Sequence, residues 1–175
     1  ITIGADSAAA VTSSTSNTVT LNAIGNAGDA AKTTVFAGDV ITAGGGTVAI
    51  IVGKAGENEN ATLELQGNVT ETSGTITIVV GDGSNETNDG ANLIVDSKND
   101  ENLTIASKID GDGAGNDTAT LAVTDSEANT AADSITFSDT IGATNALDAI
   151  TIGSATEAGS AVFQGTVAAT SITVD

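Results

Sequence analysis

Cysteine, proline, histidine, methionine, tryptophan and tyrosine are all missing from this 175-residue chain, and its four basic residues are all lysines. Without cysteine there is no disulfide staple, no thiolate nucleophile and no thiolate metal site. Without histidine there is no imidazole base, so neither a Cys–His nor a Ser–His–Asp arrangement can be assembled. Paired carboxylates of the glycosidase kind remain chemically open. Sites of that kind add aromatic platforms for sugars, and the only aromatic residues here are Phe36, Phe137 and Phe163. The expectation is that the protein is not an enzyme.

Positive charge is scarce as well. Twenty-three acidic residues stand against Lys32, Lys54, Lys98 and Lys108, a net charge of −19. Nucleic acid is excluded as a partner, because phosphate contacts require Lys and Arg, and an anionic membrane surface is excluded by the same sign. Divalent cations and basic partners stay open, beside the plainer role of charge in keeping a β-rich protein soluble. No run approaches the roughly 18 apolar residues of a membrane span, so no transmembrane segment is expected. The opening residues show no basic segment leading into an apolar one, so a secreted protein is expected here in processed form.

What the chain does contain is Ala, Val, Ile, Leu, Thr, Ser, Asn, Asp and 21 glycines. β-branched residues suit a pleated, half-buried surface, and glycines suit turns and bulges. One pattern recurs five times, an apolar residue followed four positions later by Val or Ile. The copies are Phe36-Ala-Gly-Asp-Val40, Leu65-Gln-Gly-Asn-Val69, Ile105-Ala-Ser-Lys-Ile109, Phe137-Ser-Asp-Thr-Ile141 and Phe163-Gln-Gly-Thr-Val167, with leading residues 29, 40, 32 and 26 apart. An alternating run follows each copy: residues 47–52, 75–80, 118–123, 149–152 and 171–174. Period-2 alternation sends one set of side chains inward, as in Ile76, Ile78 and Val80, and leaves Thr75, Thr77 and Val79 on the other face. Polar loops of variable length separate the units, which implies insertions confined to one side.

These features predict a single all-β domain over residues 1–175, with a less regular part at 1–34 and repeats over 35–175. Residues 17–21 add a candidate strand to the irregular part. Two strands and a loop per unit predict a parallel β-solenoid-like stack of two-strand repeats. An antiparallel β-sandwich or jelly roll with strand donation between subunits is the alternative. The phrases Ile135-Thr-Phe-Ser-Asp-Thr-Ile-Gly-Ala-Thr, Ala161-Val-Phe-Gln-Gly-Thr-Val-Ala-Ala-Thr and Ser171-Ile-Thr-Val resemble repeats of bacterial autotransporter and haemagglutinin-type adhesin passengers, and of S-layer-like surface proteins. The resemblance spans residues 35–175. It implies a secreted, extracellular β-solenoid on a microbial cell surface with adhesive or structural duty.

Calcium is the candidate ligand. Asp110, Asp112 and Asp117 stand on a Gly-rich stretch, and hard cations take six to eight oxygens from carboxylates and carbonyls on loops that can curl. Gly113-Ala-Gly-Asn-Asp117 resembles the nonapeptide repeat of RTX toxins, in a single copy, with Asp112 and Ala119 where that repeat has Gly and a large apolar residue. Asp82, Glu86 and Asp89 form a second candidate in another polar loop. A solvated Asp/Gly turn accounts equally for both. Gly44-Gly-Gly46 and Gly81-Asp-Gly83 read as turns, since no Lys-Ser/Thr follows either. Asn60, Asn68, Asn85, Asn102 and Asn116 begin Asn-x-Ser/Thr sequons.

The chain has no Pro and no helical segment to cover a sheet edge. Bare strands at both ends favour head-to-tail association, which does not close and yields a filament or lattice. Ile1, Thr2, Ile3, Ile172, Thr173 and Val174 are the expected junction, and copies of the chain itself, with other surface components, are the expected partners. The functional expectation is a self-assembling subunit of an extracellular filament, sheath or surface layer. The alternative is an adhesin or ligand-binding module of a longer secreted β-solenoid passenger.

Overall fold

The computed structural model describes residues 2–3, 11–14, 18–23, 32–53, 60–81, 90–98, 102–113, 118–126 and 133–175. Among these there is no helix. The chain winds through three parallel sheets in turn. Its first pass is β1 (Thr2–Ile3), β2 (Val11–Ser14) and β3 (Thr18–Ala23). The next passes are β4 (Lys32–Phe36), β5 (Val40–Ala43) and β6 (Gly46–Val52), then β7 (Asn60–Leu65), β8 (Val69–Glu71) and β9 (Gly74–Val80). They are followed by β10 (Gly90–Asp96), β11 (Leu103–Ile105) and β12 (Lys108–Gly111), and by β13 (Thr118–Thr124) and β14 (Ser134–Phe137). The last are β15 (Leu147–Ile152), β16 (Ser160–Phe163) and β17 (Ala169–Val174).

The first sheet runs β1-β4-β7-β10-β13-β15-β17, the second β16-β14-β11-β8-β5-β2 and the third β12-β9-β6-β3. Bridges from Ile109 to Ile141 and from Ile141 to Val167 carry the third sheet two levels further. This is a parallel β-solenoid, and the sandwich alternative does not apply. Each coil has three sides where the repeat implied two strands. The reason lies in the recurring five-residue pattern, which is a corner rather than a strand. Phe36 to Val40 and Leu65 to Val69 turn from the first sheet into the second, whereas Ile105 to Ile109, Phe137 to Ile141 and Phe163 to Val167 turn from the second into the third. Both corners need one inward apolar residue on either side of a three-residue bend, so one pattern serves two places.

Side chains alternate as a pleat requires. Ile76, Ile78 and Val80 are buried while Thr77 and Val79 are not. Inward residues stack in columns along the axis. In the first sheet Leu63, Leu93, Leu121 and Ile150 form one column, and in the third Ile50, Ile78, Ile109 and Ile141 form another. All eight are buried. Full burial of such a side chain contributes about 1.5–3 kcal/mol, which makes the bore the main source of stability. Phe137 and Phe163 stack with ring centroids 5.3 Å apart and planes 16° apart. Phe36 belongs to the first sheet, in register with Leu65.

Long connections occur at two of the three corners, between the third and first sheets (53 to 60, 81 to 90, 111 to 118) and between the first and second (96 to 103, 124 to 134, 152 to 160). The expectation of a single insertion side is therefore corrected. Where a corner interrupts the backbone ladder, Asp and Asn side chains bridge to the neighbouring coil. Asp39 Oδ1 accepts the Asn68 N–H at 2.8 Å, Asn68 Oδ1 accepts the Thr104 N–H at 2.8 Å, and Asn102 Oδ1 accepts the Ser134 N–H at 2.7 Å. Backbone donors that the ladder leaves without a carbonyl need another acceptor, and these short side chains supply it.

Candidate assembly interface

The end of the solenoid at β16 and β17 is where the apolar bore reaches the surface. In β17, Ile172 is in register with Ile150 and Val174 with Ile152. The β15 residues are buried, at 0% and 8% exposure, whereas Ile172 is 53% and Val174 71% exposed. Ile172 and Val174 thus hold inward register positions and are partly exposed among the described residues. Phe163, Val167 and Ala169 complete this surface, each packed against the core yet only half-buried. Val162, 45% exposed, alternates with Phe163 and faces outward.

At the opposite end, β1, β2 and β3 are the edge strands of the three sheets. Val19 and Leu21 of β3 are half-buried, while the residues they pair with, Val48 and Ile50, are fully buried. Among the described residues, each end therefore presents sheet edges with no further strand and half-covered aliphatic side chains. Sheet edges in this condition are templates for further strand pairing.

Of the six junction residues expected from sequence, Thr2 and Ile3 lie in β1, paired with Val35 and Phe36, and Ile172, Thr173 and Val174 lie in β17. Ile1 lies outside the described residues. The structure adds Phe163, Val167 and Ala169 at one end and Val19 and Leu21 at the other. Their membership was readable only in part: Phe163 and Val167 lead and close the last corner pattern, but nothing in the pattern tells that they are less buried than their counterparts Phe137 and Ile141.

The calcium candidates are largely out of view. Asp82, Glu86, Asp89 and Asp117 lie outside the described residues. Asp110, on β12, accepts the Thr144 N–H at 2.9 Å through Oδ1, a cross-coil bridge like those at the other corners. Asp112 sits against Gly81, where φ is +121° and a Cβ would lie 2.4 Å from the Asp112 carboxyl carbon. Glycine at 81 is what lets these two coils approach. Among the described residues no three acidic side chains are grouped to hold a metal ion.

Two acids are buried beside the corner between the first and second sheets, Asp96 and Asp125. Asp96 accepts the Ser126 N–H at 2.9 Å and the Ser126 hydroxyl at 2.6 Å. Asp125 accepts the Asp133 N–H at 3.2 Å. Both carboxylates thus fasten the long 124 to 134 connection to the sheet.

Among the described residues no helix is long and apolar enough to cross a membrane. No family model, curated protein or solved structure matches this chain.

Proposed function

We infer that this chain is a self-assembling structural subunit of an extracellular filament, sheath or surface layer, in which copies stack end to end. One observation carries the reading: Ile172 and Val174, half or more exposed, lie directly over the buried Ile150 and Ile152. The partner that fits this surface best is a second copy. Any chain seated there must continue three parallel sheets with the same cross-section, and the opposite end of this molecule offers edge strands of those same three sheets. The contact is heterologous and does not close, so repetition gives a polymer. Covering one partly exposed Ile or Val gains on the order of 1 kcal/mol, and three sheets paired at once add backbone hydrogen bonds. The absence of His, Cys, Trp and Tyr supports a non-catalytic role, and the resemblance of residues 35–175 to surface repeats supports an extracellular location.

Sedimentation and negative-stain microscopy of the purified chain test this. Extended high-mass assemblies are expected from the natural sequence. The double variant Ile172→Asp, Val174→Asp should remain monomeric with unchanged β-type circular dichroism. A monodisperse monomer from the natural sequence would overturn assembly and favour the adhesive-module reading.

A further inference from the structure

Charge is unevenly placed on this molecule. The chain holds 23 acidic residues, yet β3, β6 and β9, three neighbouring strands of the third sheet, contain no charged residue at all. The outer side of the first sheet does carry acids, the half-buried Glu64 on β7 and the exposed Asp148 on β15. The second sheet offers no comparable width, because its strands are three or four residues long.

On the outer face of the third sheet, Thr47 is in register with Thr75, Ala49 with Thr77 and Ile51 with Val79. All six are half-buried or exposed, while Val48, Ile50, Ile76 and Ile78 between them are buried. Ala49 is the central outward residue of the central strand, flanked in register by Thr20 of β3 and Thr77 of β9. It is the smallest side chain on this face, and the aliphatic pair Ile51 and Val79 lies next to it. The uncharged area ends at β12, where Lys108 and Asp110 are in register with Thr77 and Val79.

We propose that this face is a lateral contact between copies, through which two end-to-end polymers lie side by side, third sheet against third sheet. The proposal rests on the assembly inferred above and adds a second surface to it. Charge selects the occupant. Copies of a chain with net charge −19 repel. Carboxylates pressed together in a contact are poorly screened, whereas those farther apart than a Debye length, about 10 Å at 0.1 M salt, are largely screened. Two copies therefore approach most readily where neither brings a carboxylate, and an uncharged face gives a strongly basic partner nothing to pair with. The same face on both copies makes the contact isologous, about a two-fold axis, and the small Ala49 at its centre lets the two sheets come close.

Size decides what the contact can hold. Three strands about 4.8 Å apart, each about seven residues long at about 3.3 Å per residue, cover roughly 330 Å². Two such faces bury about 700 Å², below the roughly 1,200–2,000 Å² of a stable interface. Single copies therefore do not pair, whereas polymers repeat the contact once per copy and hold together through effective concentration.

A single cysteine reports the contact, since the natural chain has none. Under assembling conditions and mild oxidation, Ala49→Cys is expected to give covalent dimers and nothing larger on a non-reducing gel. Successive copies of one polymer cannot supply that bond, because the six levels of the second sheet set equivalent residues roughly 29 Å apart. Ala122→Cys, at a half-buried outward position of the first sheet, is expected to stay monomeric on the same gel. A second measurement adds charge instead. Ile51→Glu should part paired polymers into single ones in negative stain, with unchanged β-type circular dichroism. Ala122→Glu adds the same charge in the column that already holds Glu64 and should leave them paired. Natural polymers that run singly, no dimer from Ala49→Cys, equal dimers from both cysteine variants, or pairing that survives Ile51→Glu each overturn the lateral contact and leave end-to-end assembly standing. Failure of the natural chain to assemble overturns both.

Discussion

At the scale of single residues, close approach between coils decides what each corner accepts. Gly67 lies over Gly38 of the preceding coil, and a Cβ at 67 would come within 2.5 Å of the Gly38 carbonyl carbon and oxygen and 2.8 Å of the Asp39 nitrogen. All three are backbone atoms, so relief requires the coils to separate. Gly67→Ala is expected to destabilise the fold by about 1–3 kcal/mol, the usual cost of overpacking, measured as a lower thermal midpoint. Ser107 holds the equivalent middle position of another corner pattern and behaves oppositely. It is buried, and its hydroxyl has no hydrogen-bond partner among the described residues. Removing an unsatisfied buried polar group recovers its desolvation cost, so Ser107→Ala should leave the midpoint unchanged or raise it. A loss of stability in Ser107→Ala as large as that in Gly67→Ala would contradict this account of the two corners.

At the scale of elements, the strands are held in register by two devices, aliphatic columns inside and Asp or Asn bridges at the corners. Asn68 is the busiest bridge. Its own N–H donates to Asp39, its Oδ1 accepts the Thr104 N–H, and its Nδ2 lies 3.4 Å from Asp39 Oδ1. It thereby ties β8 to the coils on both sides. Asn68→Ala is expected to cost about 0.5–1.5 kcal/mol through the lost side-chain bonds, since water can replace the acceptor at the exposed Thr104 N–H. Faster amide exchange at Thr104 than at Thr136, whose strand is unaltered, would locate the effect, and unchanged exchange at Thr104 would count against it. As for what could be read in advance, the alternating runs 47–52 and 75–80 correspond to β6 and β9, and 118–123, 149–152 and 171–174 to β13, β15 and β17. Their period-2 pattern is local, so it was visible. The sheet each run joins was not, because the corner from the first to the second sheet and the corner from the second to the third impose the same apolar spacing. β10 was missed: Ala91, Leu93 and Val95 are buried, but they follow a long polar loop with no corner pattern to announce them.

At the scale of the whole molecule, charge and assembly oppose each other. A net charge of −19 on a chain of this size makes copies repel, whereas the end-to-end assembly proposed above requires the half-covered apolar ends to attract. Salt shortens the Debye length from about 30 Å at 0.01 M to about 10 Å at 0.1 M, which removes most of the repulsion and leaves apolar contact and backbone pairing intact. Association followed by light scattering should therefore accelerate as sodium chloride is raised through that range. A rate that falls with salt would mean that the end faces attract through complementary charge, and the apolar account of the junction would have to be abandoned.

By itself the sequence determined the inward face of the repeats, the strand class and the strong negative charge, because each follows from residue type and from spacings of two to four positions along the chain. Only the tertiary structure decided that the coil has three sides and that long connections leave from two corners. Those are properties of pairing between residues about 29 positions apart, as for Val35 with Glu64 and Val40 with Val69. No local preference encodes such a pairing; it is set by which columns of aliphatic side chains can close over one another to keep the bore dry.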